Sequence, residues 1–210
     1  KERGYKYIAI TEHSKHVSVA GGLNEKELLK HAEKVRKLSK KFRGIKVLVG
    51  VEVDILKTGK LDLADSCLKE LDIVIAAVHS NFGMDKDDQT KRILKAMDNR
   101  YVNALAHPSG RLITKRTPLQ VDFDKIFEKA RDNNVFLEIN THGDRIDLND
   151  VHAKHAKELG ARIVINTDAH SKSGLEGMKY GVITARRGWL EKKDVLNTFT
   201  LKKMLKEFKK

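Results

Sequence analysis

Short apolar runs rich in β-branched residues alternate with longer segments of helical periodicity along almost the whole chain. This alternation is typical of repeated β/α units that build a parallel sheet. The pattern predicts seven strands, at residues 7–11, 46–53, 73–78, 102–106, 136–140, 162–166 and 181–185. It predicts helices at residues 24–42, 61–71, 87–99, 122–133, 149–159 and 201–208. Because seven strands are nearly enough to close a barrel, we expect an α/β fold with a distorted or incomplete (β/α)7 TIM-like barrel.

The chain shows no linker and only two prolines, Pro108 and Pro118, which favours a single domain over residues 1–210. Residues 1–4 resemble the last turn of a helix that ends at Gly4 and leads directly into the first strand. The sequence does not begin with Met. We therefore expect an N-terminally truncated domain, a fragment of a longer chain that lacks one preceding strand.

The chain is strongly basic, with 42 Lys and Arg against 29 Asp and Glu, a net charge of +13. Residues 30–46 contribute eight basic residues against one acid, and residues 191–210 contribute seven against three. A positive field favours a polyanionic partner such as DNA, although exposed helical charge often serves solvation alone. The longest aliphatic run, residues 73–78, is too short to cross a bilayer. The single Cys67 excludes an intrachain disulfide, so we expect a cytoplasmic protein without membrane contact.

Metal-ligating residue types recur where successive predicted strands end. They are His13, Glu52, His79, His107, Asp168 and His170. A barrel brings the carboxyl ends of its strands to one face, so these side chains should converge. Imidazole and carboxylate together suit zinc, manganese or iron. Glu52 can bridge two metals, and two-metal sites serve phosphoryl displacement, so Glu52 and Asp168 are the expected catalytic residues.

Four further residues are weaker candidates. Arg111 and Lys115, in the loop after His107, could contact a substrate phosphate. His142 follows the fifth strand as a possible substrate contact, and Asp54 shares a strand face with Glu52 and could support the ligands. The other histidines are more consistent with ordinary structural or solvated positions: His16, His31, His152 and His155.

Taken together, these strand-end motifs resemble the polymerase and histidinol phosphatase (PHP) superfamily. The residues that carry the resemblance are 11–13 (TEH), 50–52 (GVE), 79–80 (HS), 106–108 (AHP) and 167–170 (TDAH). Residues 17–23, 52–55, 108–112 and 180–197 further resemble the C-terminal PHP domain of bacterial and archaeal family X DNA polymerases. The resemblance extends over essentially all 210 residues.

This resemblance implies a distorted PHP-type barrel holding two or three divalent metals, usually manganese or zinc. By the same resemblance, Glu52, His79 and His107 match the ligands of one metal, Asp168 matches a second that Glu52 bridges, and His13 and His170 match a third. The implied activity is that of a 3′-5′ exonuclease and phosphodiesterase acting in DNA repair. The implied partners are DNA and the polymerase domains of a parent chain.

The opening His-x-His motif of the family is absent, so we expect this chain alone to be weakly active or inactive. A histidinol-phosphatase-like phosphomonoesterase would use the same metal ligands and remains an alternative. A second alternative is a DNA-binding or structural domain with an incomplete metal site.

Overall fold

Six parallel strands lie side by side in one sheet in the computed structural model, which describes residues 1–208. The strands are β1 (Tyr7–His13), β2 (Lys46–Asp54), β3 (Ile73–Ala77), β4 (Ala104–Leu105), β5 (Phe136–Asn140) and β6 (Ile163–Asn166). Their order in the sheet is their order in the chain. Each crossover therefore steps in the same direction, which places the connecting helices on one face and curls the sheet into a half-barrel. This is the α/β, TIM-like architecture that the alternating pattern predicted.

Within residues 1–208, seven α-helices connect or follow these strands. They are α1 (Glu25–Ser39), α2 (Asp65–Leu68), α3 (Lys86–Met97), α4 (Phe123–Asp132), α5 (Asp150–Glu158), α6 (Met178–Arg187) and α7 (Leu201–Glu207). Short 3-10 turns lie at Ser18–Ala20, Ser173–Gly177, Lys192–Asp194 and Leu196–Thr198. The Asn24 side chain accepts a hydrogen bond from the Glu27 amide, and the Glu27 side chain accepts one from the Asn24 amide. This capping box fixes the start of α1 where the sequence predicts it.

The two faces of the sheet have different compositions because side chains alternate along each strand. The face under the helices is mainly apolar, with Val51, Val53 and Val74 in the main core. The concave face is apolar in the half of the sheet nearest the strand starts, where Ile73 and Phe136 belong to a second core that also contains residues of α7. Beyond that half the same face becomes polar, so α7 closes one end of the half-barrel and the polar end stays open.

The predicted seventh strand, residues 181–185, is wrong: these residues lie within helix α6. The run of Val, Ile and Thr suggested a strand, but Gly181, Thr184 and Ala185 form the buried stripe of a helix. A Cβ at Gly181 would lie 2.3 Å from Ile165 Cγ2 and 2.6 Å from Thr141 Cγ2. The glycine therefore lets α6 pack tightly against β5 and β6.

The predicted helix at residues 61–71 is reduced to Asp65–Leu68. Leu61 instead forms an antiparallel bridge with Ile55, so the chain turns back on β2 before the helix begins. The strand predicted at residues 102–106 shortens to Ala104–Leu105, whereas β1 and β2 run further than predicted. As a result His13 is the last residue of a strand instead of a loop residue.

The chain ends take less regular forms than predicted. Residues 1–4 make one turn, in which the Gly4 amide donates to the Lys1 carbonyl over 2.9 Å and Gly4 has a φ of 85°. The basic stretch 191–210 contains two 3-10 turns and α7, and its residues 209 and 210 lie outside the described part. Among residues 1–208, no helix has the length and apolar character required to traverse a bilayer.

The tight packing of β2 against its neighbours yields a stability prediction. A Cβ at Gly50 would lie 2.4 Å from Ile73 Cγ2 and 2.5 Å from the Ile73 carbonyl oxygen. Because backbone cannot move aside cheaply, Gly50→Ala should lower the free energy of unfolding by about 1–3 kcal/mol. Gly83→Ala is the matched control, since a Cβ there meets nothing within 4 Å. Equal urea midpoints for the two variants would contradict the described packing of β2.

Candidate metal centre

Three imidazoles surround one buried carboxylate at the open end of the half-barrel. Glu52 Oε1 lies 2.9 Å from His107 Nε2 and 3.3 Å from His79 Nε2, and Glu52 Oε2 lies 3.5 Å from His13 Nδ1. The Glu52 side chain is 11% exposed and that of His107 only 1%. Four of the six strand-end residues predicted to converge therefore do so in one cluster.

Strand register brings these groups together. His13 pairs with Glu52 across β1 and β2, so both side chains project from the concave face. Glu52 pairs with Ile75 of β3, and His79 follows that strand on the same alternation. Since Val51 and Val78, which precede Glu52 and His79, belong to the core under the helices, a slip of one residue would turn either ligand to the opposite face.

Asp54 orients His79, as its position on the face of Glu52 suggested. Its buried Oδ1 accepts a hydrogen bond from the His79 backbone amide over 3.0 Å and lies 3.1 Å from His79 Nδ1. Asp62 Oδ1 in turn accepts from the Asp54 amide, and Asp62 Oδ2 accepts from the His16 amide. Asp62 was missed in the sequence because it lies in a loop, without strand register to mark it.

The carboxylate and imidazoles shift each other's protonation. Burial would raise the pKa of Glu52, but hydrogen bonds and charge from His107 and His79 hold the pKa of Glu52 well below its usual range. Burial would lower the pKa of His79, but Asp54 and Glu52 outweigh it and raise the pKa of His79 to about 9. The buried negative charges of this cluster thus require a cation, which a proton on imidazole or a bound metal can provide.

A cavity of about 310 Å³ opens beside this cluster and contains the remaining predicted ligands. Asp168 and His170 line it together with His142 and Arg145. The rings of His13 and His170 have centroids 6.3 Å apart. His170 Nδ1 lies 2.9 Å from the Asp168 carbonyl oxygen, and its side chain is 66% exposed. His170 therefore lies on the open side of the cavity, whereas the Asp168 side chain is only 20% exposed and Glu52 lies at the floor.

A further buried carboxylate, Glu138, lies behind this cavity on β5 and is 3% exposed. Its Oε2 accepts from the His107 backbone amide over 2.7 Å, and its Oε1 accepts from Asn166 Nδ2 over 2.7 Å. Burial, the largest influence, raises the pKa of Glu138 to about 7, although the charge of His107 opposes this. Glu138 was not among the predicted site residues; its one signal in the sequence is its position between Leu137 and Ile139 in a predicted strand.

The predicted substrate contacts separate into two groups. His142 lines the cavity, but Arg111 and Lys115 do not. The Arg111 guanidinium donates to the carbonyl oxygens of Arg145 and Ile146, which braces the following loop. Lys115 pairs with Asp144 over 2.6 Å. Their contact with substrate stays a prediction, and the structure gives both side chains other partners.

Arg145 also lines the cavity. The sequence did not predict this position, because nothing in its loop distinguishes Arg145 from a surface arginine. Its Nε lies 3.8 Å from Asp168 Oδ2, and its side chain is 14% exposed. Its Nη1 is buried and has no hydrogen-bond partner within residues 1–208. Arg145 thus brings a guanidinium to the cavity wall and keeps Nη1 unpaired inside the protein.

The donor set fits a divalent metal ion. Ligand atoms of His13, Glu52 and His79 all lie within 4.8 Å of one another. Buried Nδ1 of His13 has no hydrogen-bond partner in the described chain, so it offers a lone pair to an ion. Imidazole and carboxylate suit zinc and manganese in particular.

Comparison with known proteins gives related matches by sequence and by structure. The family model described as PHP domain matches residues 1–142. The chain is 44% identical over 201 residues to the DNA polymerase/3'-5' exonuclease PolX of Bacillus subtilis (strain 168), covering 96% of the chain and 35% of PolX. It thus spans about a third of that relative. A probable phosphatase of Thermoanaerobacter sp. (strain X514) is 30% identical over 221 residues, covering 100% of the chain and 85% of the phosphatase.

A solved structure supports the same architecture. The crystal structure of histidinol phosphate phosphatase from Lactococcus lactis, complexed with zinc, L-histidinol and phosphate, matches 89% of this chain and 84% of its own. The TM-score is 0.55 at 18% sequence identity. At this identity the match concerns the fold.

The geometry predicts which histidines bind metal. His79→Ala should weaken Mn²⁺ binding by at least about 100-fold, because even partners that only orient a ligand are worth 10–100-fold. His155→Ala is the control, since His155 pairs with Asp124 on the helical face and lies outside the cavity. Binding is measured by calorimetric titration of the metal-free protein. Unchanged Mn²⁺ affinity in His79→Ala would remove His79 from the ligand set.

Proposed function

This chain belongs to the PHP domain family, and on that premise we propose that it is a metal-dependent phosphoesterase that acts on the 3′ ends of DNA. The observation that carries the proposal is the convergence of three imidazoles on the buried Glu52 at the floor of a cavity. Arg145 lines the same cavity. Carboxylate and imidazole can hold the divalent metals that serve phosphoryl transfer, and a guanidinium can pair with phosphate oxygens.

Glu52, His79 and His107 would hold one part of a metal cluster, and His13, Asp168 and His170 would hold another part. When bound, divalent metals supply Lewis acidity and neutralise the charge that develops at phosphorus. The buried Glu52 can serve both parts because its two oxygens face different imidazoles. Two metals, or three, are consistent with this number of ligands.

The residues of the chain have separate tasks around the phosphate. Arg145 is placed to pair with a non-bridging oxygen, because its side chain lines the cavity. His142 is 47% exposed at the cavity wall and lies 3.4 Å from Asp144, so it can contact the leaving group. Glu52 and His107 are nearly excluded from solvent, and their interaction is correspondingly strong.

A DNA substrate is favoured by the sequence relationship and by surface charge. The relationship to PolX extends over 96% of this chain at 44% identity. Helix α1 presents Lys30, Lys34 and Lys37 outward, and its buried stripe is formed by other residues. A basic helix attracts the phosphate backbone without reading sequence. In the longer protein that PolX represents, the polymerase domains would be further partners of this domain.

A phosphomonoesterase is the second candidate, and one observation favours it. The probable phosphatase of Thermoanaerobacter matches the chain over its whole length, although at the lower identity of 30%. Such an enzyme would use the same ligands and would differ in the cavity wall. Turnover of a small phosphate ester without DNA cleavage would replace the first candidate by this one.

The proposal predicts Mn²⁺-dependent release of nucleotides from a labelled single strand. Glu52→Gln should reduce the rate by about 10²–10³-fold or more, because it removes an anionic group central to the electrostatic arrangement of the site. His152→Ala is the control, since His152 stacks on Phe123 with ring centroids 4.2 Å apart, away from the cavity. The assay compares labelled DNA with p-nitrophenyl phosphate. Because this chain alone is expected to be weakly active, the test is the comparison of variants: equal Mn²⁺-dependent rates for Glu52→Gln and the unsubstituted chain would contradict the proposal.

DNA affinity should depend on the basic face of α1 and of the turn that follows it. Changing Lys34, Lys37 and Lys41 to Gln should weaken binding of a single strand and lower the salt dependence by about 0.7 for each phosphate that is no longer neutralised. Metal affinity should not change, because these exposed lysines do not line the cavity. Fluorescence anisotropy across a salt series measures the DNA affinity and its salt dependence.

A matched control removes the same charge elsewhere. It changes three lysines that are each paired with an acid on or at the start of their own helix: Lys91, Lys125 and Lys154. An equal decrease of DNA affinity in both triple variants would show that net charge alone, and not the face of α1, determines binding.

A further inference from the structure

Glu138 is a fully enclosed acid that the proposed chemistry does not use. It lies on β5, between β4 and β6 in the sheet, and it is 3% exposed. His107 follows β4, and Asp168 follows β6. Glu138 therefore lies between the two strand ends that carry proposed ligands on this side of the cavity.

Both carboxylate oxygens of Glu138 accept hydrogen bonds from groups on β5 itself, at the end of β4 and at the end of β6. Oε2 accepts from the His107 backbone amide over 2.7 Å and from Asn140 Nδ2 over 3.1 Å. Oε1 accepts from Asn166 Nδ2 over 2.7 Å. The side-chain amide of Asn140 also donates to Asp168 Oδ2 over 3.2 Å. One buried group thereby connects three adjacent strands.

The two proposed ligands on either side have unusual backbones. His107 has a φ of 28° and Asp168 a φ of 49°, in the left-handed region that residues other than glycine rarely adopt. Such conformations persist only where surrounding contacts hold them. The Glu138 carboxylate supplies such a contact directly at the His107 amide, and Asn140 supplies one at the Asp168 side chain.

We infer that Glu138 is a positioning residue that sets the spacing of His107 and Asp168 by accepting hydrogen bonds from both sides of β5. The inference rests on the proposed metal-dependent function and extends it. Asp54 performs the corresponding task on the other side, where it orients His79. The metal centre would then have two groups of ligands, one positioned by the buried carboxylate of Asp54 and the other by that of Glu138.

Three variants test this role. Glu138→Ala removes all three acceptor contacts, whereas Glu138→Gln can keep two of them on its oxygen and donate to Asn166 after that amide turns over. Ile139→Val is the matched control, because Ile139 is equally buried on the same strand but faces the helices. Urea unfolding of each variant verifies that the comparison is made on folded protein.

Mn²⁺ binding is measured by the electron paramagnetic resonance signal of free Mn²⁺. Glu138→Ala should weaken binding by about 10–100-fold, while Glu138→Gln and Ile139→Val should remain within about threefold of the unsubstituted chain. Unchanged affinity in a folded Glu138→Ala variant would overturn the inference. A Glu138→Gln variant as weak as Glu138→Ala would also overturn it, because hydrogen-bond acceptance would then not be the operating property.

A second readout needs no metal. In the metal-free protein, amide hydrogen exchange at His107 should accelerate by about tenfold or more in Glu138→Ala and stay unchanged in Ile139→Val. Equal exchange in both variants would overturn the inference. If the unsubstituted chain binds no Mn²⁺, the proposed function fails, and the exchange comparison still decides the role of Glu138.

Discussion

The burial of Glu52 among three imidazoles is the interaction on which the rest of the site depends. A carboxylate removed from water is costly unless charges and hydrogen bonds replace its hydration. Here His13, His79 and His107 provide that replacement from three different strand ends. The sheet must therefore hold its register for Glu52 to remain ionised, and the site and the fold are stabilised or disrupted together.

The concave face of the sheet provides the environment that Glu52 needs, because this face changes from apolar to polar along the strand direction. Its first half is apolar and is covered by α7, where Met204 packs against the same core as Ile73. Its second half carries the acids and imidazoles. The apolar core under α7 excludes water from one end of the half-barrel, and this strengthens the electrostatic interactions near it. The polar end is open, so a substrate could enter there. The concave face thus has a packed apolar end and a solvent-accessible polar end.

The strand-end pattern was sufficient to predict the cluster, because periodicity shows both where a strand ends and which face a residue takes. His13, Glu52, His79 and His107 were all found this way, and the resemblance to the PHP superfamily agreed with the matched family model. The same local reasoning failed where tertiary packing overrides propensity. Residues 181–185 read as a strand because of their β-branched side chains, but Gly181 permits a close helix–sheet contact that propensity does not reveal.

The sequence by itself determined the alternating β/α order and the residue types placed at each strand end, because those depend only on local periodicity. Tertiary structure alone decided the groups that act through contacts remote in the chain. Asp62, Glu138 and Arg145 gain their roles from partners brought near by folding: the Asp54 amide, the His107 amide and the Asp168 carboxylate. A hydrogen bond depends on distance and direction in space, and no spacing along the chain encodes either for residues on separate strands.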